Sequence, residues 1–265
     1  MSPPPPGKIL LISDVHGLIP EMNEFLRWLT TENKQEISLV VHLGDFWKGR
    51  NFDGVEKKRD AWENLDYFDQ LVLPIFMLKG NEDLDVPDSW WDVPNLWPMP
   101  DQEIFQLNKY KAFPIDYQFR GEHGDEVPKN ETVNIDSHVD FILSHRPPFG
   151  LLDHTLHLQT HRKLSNTGSP MVRYYVDKLK SPVVFFGHFH YSNFLEFNGQ
   201  LVICIDKLVR KGAAGVFRYS YALIDPFDDS VEVYWKNRLF LKYSIPQRRL
   251  LFAHRHDRRN LERFS

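Results

Sequence analysis

Three stretches of this chain, KILLIS (8–13), ISLVVHL (37–43) and LPIFML (73–78), are apolar at almost every position and no longer than a strand. A strand with one face in water alternates polar and apolar residues. Continuous runs of this length therefore predict strands covered on both faces, as in a parallel sheet flanked by helices. The segments between the runs agree. Met22, Phe25, Leu26 and Leu29 recur at helical spacing after the first run, and Ala61, Leu65, Phe68 and Val72 do so before the third.

The second half reads differently. EIFQL, KAFPIDYQF, VDFILS, VVFFG, SNFLEF, LVICI, YSYALI and VEVYW are short strand candidates, and FNGQ (197–200) carries an Asn-Gly hairpin signal between two of them. One helix is expected among them, with Ser169 as N-cap, Pro170 in the first turn and Val172, Tyr175, Val176 and Leu179 as its buried stripe.

Composition limits the class. A chain of 265 residues with 42% hydrophobic residues can bury a large core, and one large domain fits better than two small ones. The single cysteine, Cys204, excludes an intramolecular disulfide framework and a cysteine-rich zinc ribbon, which suits a reducing compartment. The start, MSPPPPGK, is read as an extended leader (residues 1–7) rather than a signal peptide. No apolar run approaches the roughly 18 residues of a membrane span, so a cytoplasmic protein without membrane contact is expected. A formal net charge of −4 gives no general nucleic-acid field, although nucleic acid stays possible. The basic segment 247–265 is read as a solvated terminal helix or an oligomer contact.

The chemistry lies at the strand ends. Asp14 and His16 follow the first run, Asp45 the second and Asn81 the third, while His145, then His188 and His190, follow VDFILS and VVFFG. Side chains at the carboxyl ends of successive strands converge on one cleft in open α/β sheets. A lone strand-end Asp is ordinarily a cap and a lone His ordinarily structural, but seven metal-ligand residue types placed this way point to a metal site.

The blocks Asp14-Val-His16, Gly44-Asp45, Gly80-Asn81-Glu82-Asp83, His145 and Gly187-His188-Phe-His190 resemble the signature of the calcineurin-like metallophosphoesterase superfamily, from residue 8 to about 235. The resemblance implies an α/β fold, a four-layer αββα sandwich with two mixed β-sheets, its domain spanning residues 8–246. It implies that Asp14, His16 and His190 hold one divalent ion, that Asn81, His145 and His188 hold a second, and that Asp45 bridges them. Such a pair activates a bridging hydroxide for in-line attack on a phosphoester. Mixed oxygen and imidazole ligands suit Mn best, with Fe, Zn, Co or Ni also compatible.

The pattern departs from the superfamily at Glu82, which stands where histidine is usual. A carboxylate beside two dications is a poor proton donor and repels phosphate, so a phosphodiester or nucleotide is favoured over a phosphomonoester. Three readings of Glu82 stay open: it turns away to pair with Lys79 or Arg146, it enters the metal shell, or it acts as an acid or base. Arg146, beside His145, is a candidate phosphate clamp. Loop histidines His154, His157 and His161 are candidates for reaching the cleft, His42 is read as structural, and Trp47 as a substrate contact. A second reading, a catalytically silent relative acting as a protein-binding module, is disfavoured because all seven ligand positions are filled.

Overall fold

The computed structural model describes residues 7–47, 73–84, 86, 91–117, 138–153, 155–156, 163–164, 167–211 and 217–254. The leader through residue 6, the residues of the helix expected over 61–72, His154, His157, His161 and residues 255–265 lie outside them.

β1 (Lys8–Ile12), β2 (Ile37–His42), β3 (Ile75–Met77) and β4 (Leu96–Pro98) lie side by side and parallel, as the apolar runs predicted for the first three. Between β1 and β2 runs α1 (Ile19–Arg27), extended by a π-helical turn at Trp28–Glu32. Met22, Phe25, Leu26 and Leu29 are all buried. The chain continues through β5 (Phe105–Leu107), β6 (Tyr110–Ile115), β7 (Phe141–Ser144) and the short pair β8 (Thr155–Leu156) and β9 (Lys163–Leu164). α2 (Pro170–Leu179) follows, and Ser169 caps it by accepting the Val172 N–H at 3.1 Å. Then come β10 (Val183–Phe186), β11 (Asn193–Phe197), β12 (Gln200–Cys204), β13 (Val209–Lys211), β14 (Phe217–Tyr219), β15 (Tyr221–Asp225), β16 (Ser230–Trp235), β17 (Arg238–Ser244) and β18 (Arg249–Ala253). Asn198 and Gly199, both at positive φ, make the two-residue turn between β11 and β12.

These strands form two principal sheets, one of eight in the order β18-β17-β16-β15-β1-β2-β3-β4 and one of six in the order β11-β12-β10-β7-β6-β5. Both are mixed. The alternation of side chains along each strand builds the layers. Ile9 and Leu11 of β1 point between the sheets and meet Phe141, Leu143, Val183 and Phe185 there, while Leu10 and Ile12 point outward to α1. Phe113, Ile142, Val184 and Phe186 point outward from the second sheet to Met171, Val172, Tyr175 and Val176 of α2. The result is the expected four-layer αββα sandwich.

Two expectations need correction. The segment after residue 246 begins as a strand, not a helix: β18 pairs antiparallel with β17 at the sheet edge, so the sheet runs into the basic stretch. RLLFA extends the sheet because β17 offers it an edge to pair with, a tertiary cause that local charge does not reveal. YSYALI is also divided, since Ser220 separates β14, which pairs with β13, from β15 in the large sheet.

Phe185 lies fully buried between the sheets, its ring 5.9 Å from that of Phe141. Phe185→Ala is expected to cost about 3–5 kcal/mol of stability, read from the midpoint of urea unfolding at unchanged slope.

Candidate metal centre

The loops after β1 and β2 stay zipped together past their strands. The Asp14 N–H donates to the Gly44 carbonyl, the His16 N–H to the Asp45 carbonyl and the Gly17 N–H to the Phe46 carbonyl. This ladder sets Asp14, His16 and Asp45 at one rim. Asp14 and Asp45 are each 2% exposed, an expensive place for charge unless cations or donors surround it.

Each carboxylate uses one oxygen for the fold and turns the other inward. Asp14 Oδ2 accepts from the Ser13 hydroxyl and, at 3.0 Å, from the His188 N–H, leaving Oδ1 3.1 Å from His190 Nε2 and 3.7 Å from His16 Nε2. The two imidazole Nε2 atoms lie 3.0 Å apart. Asp45 Oδ1 accepts from the Glu82 N–H at 2.8 Å, leaving Oδ2 3.4 Å from His145 Nε2. That nitrogen is 3.1 Å from Asn81 Oδ1 and 3.1 Å from His188 Nδ1. Two donor groups result: Asp14, His16 and His190, and Asp45, His145 and His188, the second joined by Asn81.

The spacings fit ions. Donors about 2.1 Å from a shared ion stand about 3.0 Å apart at a right angle and about 3.4 Å apart at the tetrahedral angle. The His145 tautomer also fits, because Nδ1–H donates to the Leu43 carbonyl at 2.8 Å and leaves Nε2 to face Asn81, His188 and Asp45.

Five of the seven residues, Asp14, His16, Asp45, His188 and His190, have φ between 51° and 69°. Non-glycine residues rarely hold this left-handed conformation, and such strain gathers at functional sites. The glycines of the blocks have a separate reason. A Cβ on Gly80 would strike the Asp45 amide and carboxylate, and one on Gly187 would strike Ser13 Oγ and Asp14 Oδ2.

Electrostatics follow burial and neighbours. Burial raises the Asp14 carboxyl, but the His190 hydrogen bond and the charges of His145, His190 and His16 outweigh it, so Asp14 is held well below the usual carboxylate range. Burial works against a charge on His145, but Asp45, both as a charge and as a hydrogen-bond partner, and Asp14 lift it to about 9. Loss of water around half-buried His188, with the charge of His145 beside it, brings that imidazole down to about 3.

Asp83, 1% exposed, accepts the N–H groups of Phe46, Trp47 and Gly80 and so ties the loops after β2 and β3. Burial pushes its carboxyl up to about 7 against the Gly80 and Trp47 hydrogen bonds.

Other expectations change. Arg146 is 5% exposed; its Nη2 donates to the Thr167 and Gly168 carbonyls and its guanidinium sits 5.6 Å from the Tyr117 ring centre. Nη2 thereby tethers the loop at 167–168. Trp47 is 1% exposed and packs on Phe46 and Trp91, which corrects its reading as a substrate contact. Glu82 Oε1 accepts at 3.0 Å from Asn81 Nδ2, the amide end opposite the one that faces His145. His42 is buried, with Nδ1 accepting the Gly44 N–H, in keeping with a structural role.

One support of the site carried no sequence signal. Buried Asp206 holds Arg210 with both oxygens and accepts from Trp235 Nε1, while Arg210 Nη2 donates to the His190 carbonyl.

A calcineurin-like phosphoesterase family model matches residues 7–192. The chain belongs to that family. Family members use divalent metals, and this calcineurin-like phosphoesterase offers two donor groups for them. Among solved structures, TT1561 of Thermus thermophilus is similar at 12% identity and a TM-score of 0.52, over 93% of this chain and 97% of that one, which bears on the fold alone. An archaeal phosphodiesterase (16% identity, 86% and 98% covered, TM-score 0.45) and a Vps29 mutant from Entamoeba histolytica (16%, 89% and 91%, 0.39) are more distantly similar. No curated protein matches significantly. No helix among the described residues is long and apolar enough to cross a membrane.

His145 generates a pH prediction. Without metal, a proton held to about 9 contributes stability that is full below about 6.5 and lost as pH rises through about 9. An ion at Nε2 must displace that proton, so metal affinity should rise with pH up to about 9, with roughly one proton released per chain near neutrality. Titration calorimetry in two buffers of different ionisation heat measures the release. Gly187→Ala should cost about 1–3 kcal/mol through overpacking and weaken metal binding at Asp14, read by thermal melts with and without Mn.

Proposed function

We propose that this protein is a dinuclear metal-dependent phosphoesterase that prefers a phosphodiester or a nucleotide to a phosphomonoester. What supports the reading is two donor groups linked by the bond from the His188 N–H to Asp14, with the Glu82 carboxylate on the amide of Asn81. Asp14, His16 and His190 would hold one divalent ion and Asn81, His145 and His188 the other, with Asp45 shared, and Mn is the expected metal. Bound there, the ions would supply Lewis acidity toward a phosphoryl oxygen and toward water.

The chain's own groups set what enters. Asp14, Asp45 and Glu82 bring three negative charges to a site whose ions bring four positive ones. Each of these negative charges weakens the pull of the ions on an anion, and each repels a doubly charged monoester more than a singly charged diester. Histidine at position 82 would leave the site more positive and give it a proton donor for a poor leaving group. A glutamate there favours esters whose leaving group departs without one.

The test compares an aryl phosphodiester with the matching monoester, using protein stripped of metal and reloaded with Mn. Diester hydrolysis at least about tenfold above monoester in kcat/KM, abolished by a chelator, is expected. Absence of hydrolysis of both by folded, loaded protein with Mn, Fe, Zn, Co or Ni would overturn the enzyme reading in favour of a protein-binding module.

A further inference from the structure

We propose that Glu82 is a positioning residue that fixes which end of the Asn81 amide faces the second donor group. The proposal rests on the reading above that the group binds a divalent ion.

A primary amide has an acceptor end and a donor end of similar size, and only the oxygen can take a cation. Turned the wrong way, Asn81 would aim two N–H donors at the ion. The Asn81 side chain lies in a residue 8% exposed, so little water competes to choose between the two orientations. Its neighbours choose instead. Asn81 Nδ2 donates to Glu82 Oε1 at 3.0 Å, and this bond leaves Oδ1 3.1 Å from His145 Nε2, inside the donor group.

A carboxylate suits this task because it only accepts. It meets Nδ2 favourably and repels Oδ1, so one bond both rewards the metal-binding orientation and penalises the reverse. The carboxylate is itself held, because the Glu82 N–H donates to Asp45 Oδ1 at 2.8 Å and Asp83 fixes the same turn through the Gly80 N–H. Glu82 thus supports the second group twice, through its main chain on Asp45 and through its side chain on Asn81.

Mn binding to the whole chain tests the idea, by calorimetry and metal analysis on the wild type, Glu82→Ala, Glu82→Gln, Asn81→Asp and the Asn81→Asp, Glu82→Ala double variant. Two Mn per wild-type chain are expected, with the weaker Kd raised about 10–100-fold in Glu82→Ala, the scale of losing a partner that orients a ligand. Glu82→Gln keeps an acceptor for Nδ2 and should recover most of that loss. The double variant is decisive: aspartate has an oxygen at both ends, so against Asn81→Asp the Glu82→Ala change should raise Kd less than about threefold.

The same loss in both backgrounds would overturn the proposal, since a residue acting on the fold or as a ligand has no reason to depend on position 81. Glu82→Gln as weak as Glu82→Ala would also overturn it, in favour of charge at the ion. Failure of the wild type to bind two Mn would bring down the dinuclear reading itself, and the proposal with it.

Discussion

Asp14 and Asp45 sit almost wholly out of water at the ends of adjacent parallel strands, and the site is arranged around the need to balance them. An isolated buried carboxylate costs several kcal/mol, more than most single contacts in a domain return. Hydrogen bonds from Ser13, the His188 amide and the Glu82 amide satisfy the outer oxygens. The inner ones need positive charge. In the metal-free chain the His145 proton supplies part of it, which is why burial fails to depress that imidazole. A divalent ion meets the same need more fully, so affinity for metal and for protons at this place share one electrostatic cause.

That requirement shapes the backbone as well as the side chains. To bring ligands from strands of two different sheets within hydrogen-bond distance, the chain must turn sharply just past β1, β2 and β10. Asp14, His16, Asp45, His188 and His190 take up left-handed conformations there, each at a cost of about 1–3 kcal/mol. The sandwich core on both faces of each sheet offsets this strain, and the tethers made by Asp83 and by Asp206 with Arg210 hold it in place. Stability and site geometry are therefore coupled at these turns.

The division between what sequence revealed and what it did not follows the same physics. Periodicity exposed β1 to β3, α1 and α2, because burial on one face or two leaves a local signature in the order of residues. The donor residues were legible because polar groups ending apolar runs have few other reasons to be there. Arg210 was not, since nothing local marks an arginine that reaches back to the His190 carbonyl. Trp47 misled for the converse reason: nearness to a donor residue in sequence says nothing about which way a side chain turns, and this one turns inward onto Phe46 and Trp91. β18 was hidden because its strand character comes from the edge of β17.

The turn after β3 shows how such a site can change chemistry without changing fold. Asn81 faces the donor group, the Asp83 carboxylate gathers three backbone amides, and the amide of residue 82 holds Asp45. The backbone part of this frame does not depend on the side chain at 82, whose carboxylate meets the Asn81 amide. A glutamate there lowers the charge of the site and removes a proton donor; a histidine does the reverse. On the proposed reading, that one unit of charge at position 82 would set this chain's choice between a singly and a doubly charged ester.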